Sequence, residues 1–421
     1  MEEKQVEIMA PAGSFESLAA ALRAGADSVY FGVGKLNMRA RATVNFTEED
    51  LPKVCRLCHA CGARAYLTCN IVVYDDELAE IEQLLHRAKE AGVDAVIAAD
   101  MAVVTCARSL GLEVHMSVQA NVCNLAAVRF YAAYADVVVL ARELKLSQIR
   151  RIIEGIHREG ITGPSGRPVR VEIFAHGALC IAISGKCGMS LAAHGHSANR
   201  GDCFQLCRRR YTVTDTETGF AMDIDNQYVM SPKDICTIRV MDQLVEAGVA
   251  VLKLEGRGRS ESYVSTVTSV YKEAAAACLA GEWSPEKVAA WEIRLQSVFN
   301  RSFWHGGYYL GEEWEMWSGQ SNSLALEQRR HLGRVVRWFP KAGVAEIRLE
   351  AAALSTGDQI EVTGPTTGVV RICVQEVRCD DTTGHTLTVD TAPKGSHALI
   401  LSPEKVRRGD KVYTITRRKL N

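Results

Sequence analysis

The 421-residue sequence has no run approaching eighteen uninterrupted apolar residues, so it offers no candidate membrane-spanning helix. Its first residues, MEEKQVEIMAPAG, are acidic and lack an apolar h-region, which argues against a secretory signal and predicts a cytoplasmic protein. Net charge is nearly absent, at −1, so composition alone does not announce a nucleic-acid binder. There is no H-E-x-x-H and no G-x-S-x-G, and no G-x-G-x-x-G opens the first strand. The usual signatures of zinc peptidases, α/β-hydrolases and dinucleotide-binding sheets are therefore missing. No low-complexity linker divides the chain.

What the chain does have is cysteine, fourteen of them. A reducing compartment disfavours structural disulfides and leaves buried thiols or metal ligands as the expected uses. Cys69, Cys106, Cys123, Cys278, Cys373 and Cys379 fall in helix or strand patterns and read as small core hydrophobes. Cys55, Cys58 and Cys61 have ferredoxin-like spacing in CRLCHAC, but the surrounding EEDLPKVCRLCHACG has a helical pattern, which predicts core packing.

Cys180, Cys187, Cys203 and Cys207 differ, because CIAISGKCGMSLAAHGHSANRGDCFQLC has no regular periodicity and is rich in Gly, Ser, Asn and His. A loop of this composition that buries four thiols has little but a metal to hold it. Only Cys203 and Cys207 form a close pair, with His194 and His196 as further donors, so spacing leaves zinc and a [4Fe-4S] cluster equally open. Cys236, in SPKDICTI, lies before a helix that leads to the next strand and competes with Cys207 as fourth ligand.

Short β-branched runs alternate with helical patterns at Val6, Asp27, Arg64, Asp94, Glu113, Asp136, Val171 and Val249. Eight such units predict an α/β fold, a (β/α)8 TIM-like barrel. More than seventy residues separate the seventh and eighth strands, so a cysteine-rich insertion over about 177–232 is expected, with a hairpin in YTVTDTETGFAMDI. Trailing helices complete a first domain over 1–325, and a small C-terminal β-barrel is expected over 326–421.

In such a barrel the strand C-termini carry the functional groups. Those ends supply Asn37, Arg39, Asn70, Ser117, Gln119, Arg142, Glu143, His176, Glu255 and Arg257, and Cys180 follows His176 by four residues. Lys253 sits within its strand and reads as a structural ion pair. The basic runs Arg208 to Arg210, Arg329 with Arg330, Arg407 with Arg408, and Arg417 to Lys419 read as solvated faces.

PAGSFESLAAALRAGADSVYFG, the Ser117–Gln119 strand end, HGALC-x6-C with NRGDCFQLCR, SPKDICTI and LKLEGRGRSESYV together resemble the peptidase U32 (collagenase-like) family over roughly residues 6–310. The name implies proteolysis. The likeness to the tRNA-modifying branch implies instead an oxygen-independent hydroxylation of the tRNA wobble uridine to 5-hydroxyuridine, with prephenate as hydroxyl source. Hydroxylation of a 23S ribosomal RNA cytidine is the second reading and peptide hydrolysis the third. The resemblance implies a [4Fe-4S] cluster on Cys180, Cys187, Cys203 and either Cys207 or Cys236, tRNA as partner, and a paralogous U32-family subunit in some branches. It also implies that Gln119, Arg142, His176, Glu255 and Arg257 hold the co-substrate and target base.

Overall fold

The computed structural model describes residues 6–41, 45–222, 230–305, 318, 323–380 and 385–418. Eight parallel strands form the barrel: β1 (Glu7–Pro11), β2 (Ser28–Phe31), β3 (Arg64–Cys69), β4 (Ala95–Ala98), β5 (Glu113–Met116), β6 (Val137–Val139), β7 (Arg170–Ala178) and β8 (Val251–Leu254). Each pairs with the next, and β8 closes the ring by pairing in parallel with both β7 and β1. Alternation along the strands divides the side chains. Met9, Tyr30, Tyr66, Ile97 and Val137 fill the barrel, whereas Ile8, Val29, Phe31, Leu67 and Val96 face the helices.

The surrounding helices form where the periodicity predicts. Helix Phe15–Arg23 is started by Ser14, whose hydroxyl accepts from the Ser17 amide. Helix Leu78–Ala91 stops at Gly92, which adopts the left-handed conformation (φ 85°) that favours glycine. Helix Leu51–Ala60 runs unbroken through CRLCHA with Cys55 and Cys58 buried on its inner face, so these thiols pack as core.

The inside of the barrel is also ionic. Near the strand N-termini, Glu7 accepts from Ser28 (2.6 Å), Tyr66 (2.8 Å) and Arg170 (2.8 Å), while Glu113 accepts from Arg64 (2.8 Å). One layer deeper, Glu172 pairs with Lys253 at 2.8 Å and lies 3.6 Å from His115. The expected structural role of Lys253 is thus what the contacts describe.

Beyond β7 the insertion has little regular structure: helix Met189–His194, two single 3-10 turns, and the expected hairpin in which Val213–Thr214 pairs with Ala221–Met222. A short strand that the sequence reading did not anticipate, Asp234–Cys236, then adds antiparallel to the end of β7 and parallel to Phe303–Trp304. It precedes helix Met241–Glu246, which crosses back to β8.

The C-terminal domain is an eight-stranded antiparallel sheet built on Glu327–Phe339, Val344–Leu349, Gln359–Gly364, Gly368–Cys373, His397–Leu401 and Lys411–Arg417, with a core of its own around Leu332, Ile347, Val362 and Val412. A small β-barrel was expected, and the eight strands pair as one antiparallel sheet; among the described residues no pairing joins its outer strands Gly368–Cys373 and Thr386–Val389. Its first edge is covered by helix Phe15–Arg23, where Gly368 lies against Ala19, which shields that strand edge. Arg329 fastens the two domains: it donates to Glu261 (2.7 Å) on the helix Glu261–Leu279 and to Glu361 (3.1 Å) on the sheet, and Ser262 donates to the same Glu361 at 2.8 Å.

Candidate active site at the barrel mouth

The C-terminal ends of the strands open into a cavity of about 240 Å³. That is slightly below the usual span of small-molecule sites, about 300–1,000 Å³, and suits one ring or a small acid rather than a length of peptide. Gln119, Arg142, Glu255 and Arg257 line it, as do Cys180, Cys187, Cys203 and Cys207. His176 and Cys236 do not, among the lining residues described.

Their absence has one local cause. Lys253 pairs with Phe174 and the next residue, Leu254, with His176, so Ala175 is an extra residue in β7. A bulge of this kind breaks the in–out alternation and re-aims the side chains that follow. His176 consequently turns outward, packs among Tyr263, Tyr271 and Phe303, and is held neutral, its ring pushed down to about 3 by burial. Cys236 stands opposite it in the added strand, fully buried, with the Tyr271 hydroxyl donating to its sulfur at 3.9 Å. Burial pushes that thiol up to about 12. The sequence placed both residues at the mouth; the structure puts them behind its wall.

The four remaining cysteines are neighbours. Cys207 is pushed up by burial, opposed by Arg208, and raised further by negative charge on Cys180, Cys203 and Cys187. The backbone amide of Met189 donates to the Cys187 sulfur at 3.4 Å. The segment that carries them is fastened to the barrel at both sides. Arg200 pairs with Glu77, donates to the Val72 carbonyl at 2.7 Å and stacks over Tyr74, while Asn199 accepts from the Val72 amide. At the other side Arg208 donates to Ser231 (2.9 Å), to the Pro232 carbonyl and to the Leu179 carbonyl (2.9 Å). Among the described residues no three His, Cys, Asp or Glu side chains come close enough to share a single metal ion.

The polar floor is equally fixed. Gln119 is held at both ends, accepting from Ser117 (2.8 Å) and donating to the Asn70 carbonyl (2.6 Å). Buried Asn37 accepts from the Arg39 amide and so shapes the loop after β2, from which Arg39 reaches Glu255 at 2.6 Å. Burial opposes ionisation of Glu255, but Arg39, Arg142 and Arg257 outweigh it and hold the carboxyl down at about 2. Arg257 donates to Thr68 at 2.9 Å and is lowered to about 10 by burial. Arg142 lies over the Phe174 ring at 3.9 Å and donates to the Ala178 carbonyl, while its Nε is buried without a partner. At the end of β7, Gly177 (φ 106°) lets the backbone meet Glu255; a Cβ there would lie 2.5 Å from the Glu255 carbonyl oxygen.

Three further cationic lining residues escaped the sequence reading: Arg208, Arg259 and Arg301. Arg208 was grouped with a solvated basic run, and its burial instead lowers it to about 10. Arg259 lies two residues beyond Arg257, a signal that strand-end reasoning could have used. Arg301 follows the trailing helices and carries no local signal. In all, seven cations, Arg39, Arg142, Arg208, Lys253, Arg257, Arg259 and Arg301, face one lining carboxylate, Glu255. Glu172 and Asp234 lie behind the wall and pair with Lys253 and Arg301.

A closed parallel barrel whose mouth joins an anion-seeking floor to a wall of cysteines defines a TIM-barrel enzyme with its site at the strand C-termini. Residues 13–318 match the sequence signature of peptidase family U32, and the chain belongs to that family. It is 49% identical to a protein named collagenase from Porphyromonas gingivalis, over 99% of this chain and all of that one. It is 31% identical to a tRNA hydroxylation protein of Bacillus subtilis, over 86% of this chain and 84% of the relative. It is also 33% identical to a 23S rRNA 5-hydroxycytidine synthase of Escherichia coli, over 64% of this chain and 39% of that longer protein. No helix among the described residues is long and apolar enough to cross a membrane.

Proposed function

We propose that this protein hydroxylates RNA without molecular oxygen, converting the wobble uridine of tRNA to 5-hydroxyuridine, with a [4Fe-4S] cluster and with prephenate as hydroxyl source. The observation that carries the reading is the meeting of four cysteines and seven cationic side chains in the lining of one small barrel mouth.

Four cysteines on one cavity wall are a donor set that supports a cluster, which takes one thiolate per iron; a four-cysteine zinc site would draw on the same side chains. Cys180, Cys187, Cys203 and Cys207 would hold the cluster, since all four line the cavity, whereas Cys236 is buried beside β7. When bound, the cluster supplies a redox-active or Lewis-acidic iron at the cavity wall.

The chain's own groups then do the positioning. Arg142 and Arg257 face the cavity with donors suited to the carboxylates of a small acid. Glu255, ionised and held by Arg39, stands ready to accept a hydrogen bond from a base N–H. Gln119 presents a side chain already fixed by Ser117 and Asn70. The cavity excludes a duplex, so the target base must be swung out to enter.

Peptide hydrolysis is the competing reading, supported by the name of the Porphyromonas relative. A peptidase of the nucleophile type needs a base beside its nucleophile, and no histidine lines the cavity among the described residues. Ribosomal cytidine as target would use the same groups. Mass spectrometry of tRNA nucleosides from a deletion strain tests the proposal: 5-hydroxyuridine derivatives are lost and return with the wild-type gene. Unchanged levels, in a strain without a redundant paralogue, refute the tRNA substrate. Gelatin hydrolysis that survives Cys180→Ala and Cys187→Ala would establish the peptidase instead.

A further inference from the structure

One side of the cavity is overcharged in a way that neither the cysteines nor the co-substrate groups explain. Arg259 and Arg301 lie at the same aromatic ring, their guanidinium carbons 3.6 and 5.0 Å from the Phe299 centroid. Two like charges share that ring, and Arg208 is close enough for Arg301 to act on it. Asp234 accepts from Arg301 at 3.2 Å through both the guanidinium and the backbone amide, and among the described residues no other acid bonds to Arg259 or Arg301. Arg301 is 5% exposed, and its Nε is buried with no partner among the described residues. The half-buried Arg259 makes no hydrogen bond or salt bridge through its guanidinium among the described residues; burial and Arg301 work against its charge, and the more distant Asp234 and Glu255 only partly offset them. A buried donor without an acceptor is costly, as is a half-buried cation with no bonded anion, and a bound oxyanion relieves both at once.

We propose that Arg259 and Arg301, backed by Arg208, form a phosphate subsite that holds the RNA backbone beside the extruded base. This rests on the reading of RNA as substrate. A phosphate is favoured over a second carboxylate of a small co-substrate by what lies outside. Gly258, between Arg257 and Arg259, is exposed, and Arg208 continues into exposed Arg209 and Arg210, so the cationic corner opens toward the surface as a strand leaving the cavity requires. Arg259 and Arg301 can each offer paired N–H groups to one phosphate, and the stacked ring keeps both guanidinium planes in place.

The test is calorimetric titration of the full-length holoprotein with uridine, uridine 5′-monophosphate, inorganic phosphate and malonate. The subsite predicts that the monophosphate binds at least tenfold tighter than uridine, and that Arg259→Gln or Arg301→Met removes this difference while leaving uridine affinity in place. Arg301→Met strands Asp234, so the pair Asp234→Asn with Arg301→Met serves as a second variant, with thermal midpoints confirming that each is folded. Equal affinity for uridine and its monophosphate, or a difference that survives all variants, overturns the subsite. Displacement of the monophosphate by malonate but not by inorganic phosphate also overturns it and assigns the corner to a small acid. Inorganic phosphate that binds through Arg259 and Arg301 when neither nucleoside species binds the base site would keep the subsite and remove the RNA reading beneath it.

Discussion

Lys253 and Glu172 face each other at 2.8 Å inside the barrel, with side chains 6% and 0% exposed. The pair sits directly beneath the cavity, and the second carboxylate oxygen of Glu172 has only His115 near it, at 3.6 Å. Lys253→Met leaves that buried carboxylate with His115 alone beside it among the described residues, which is expected to cost about 3 kcal/mol. The double replacement Glu172→Leu with Lys253→Met removes both charges and is expected to recover most of the loss. Urea denaturation of the two variants checks this; equal destabilisation would mean that the pair is not what holds this layer.

Cysteine replacements separate the wall from the core. In anaerobically prepared protein, alanine at Cys180, Cys187, Cys203 or Cys207 is expected to lower bound iron and sulfide and bleach the visible absorption. Cys236→Ala is expected to keep both and to lower stability by about 1 kcal/mol through a small cavity beside Tyr271. Iron and sulfide quantification decides it, and full loss of iron in Cys236→Ala would move the fourth ligand there.

The insertion should loosen in acid before the barrel does. Hydrogen bonds from Arg200 hold the Glu77 carboxyl at about 2 in the fold against an ordinary 4.5. The folded state therefore favours the ionised form, and its contribution is complete above about pH 4.5 and fades as the pH falls toward 2. Thermal midpoints recorded between pH 6 and pH 2.5 are expected to fall more steeply in the wild type than in Glu77→Gln. Parallel curves would show that this pair contributes nothing.

Arg329 is the tie between the domains. It is a quarter exposed, and its removal leaves Glu361, wholly buried at the junction, with Ser262 and the more distant Arg371. Arg329→Met is expected to cost about 2 kcal/mol, less than a fully enclosed pair because water reaches the arginine. Limited proteolysis between residues 323 and 327 should quicken with it; cleavage at the wild-type rate would argue that apolar packing alone joins the domains.

Much of the barrel was legible in sequence because its strands are short, β-branched and spaced by helices with clear periodicity. Every strand anticipated from Val6 to Val249 is present, and the insertion falls where the gap between the last two predicts it. What escaped were features set by three-dimensional register. The extra residue at Ala175 turns His176 outward, and no local pattern distinguishes that bulge from regular alternation. Asp234–Cys236 is three residues long and becomes a strand only because the end of β7 offers an edge. Arg208 looked like surface because two exposed arginines follow it, and Arg301 reaches the cavity from a distant segment. Residues 306–317, which include most of the aromatic FWHGGYYLG stretch, lie outside the described residues.

The cysteine segment is bolted to opposite rims of the mouth, by Arg200 to Val72 and Glu77 and by Arg208 to Leu179 and Pro232. A strap anchored at both ends sets an aperture of fixed width. Recognition at such an aperture falls on the mobility of the guest rather than on closure of the host: whatever can swing a single group through the opening is admitted, and a rigid, stacked partner is turned away however well its surface matches.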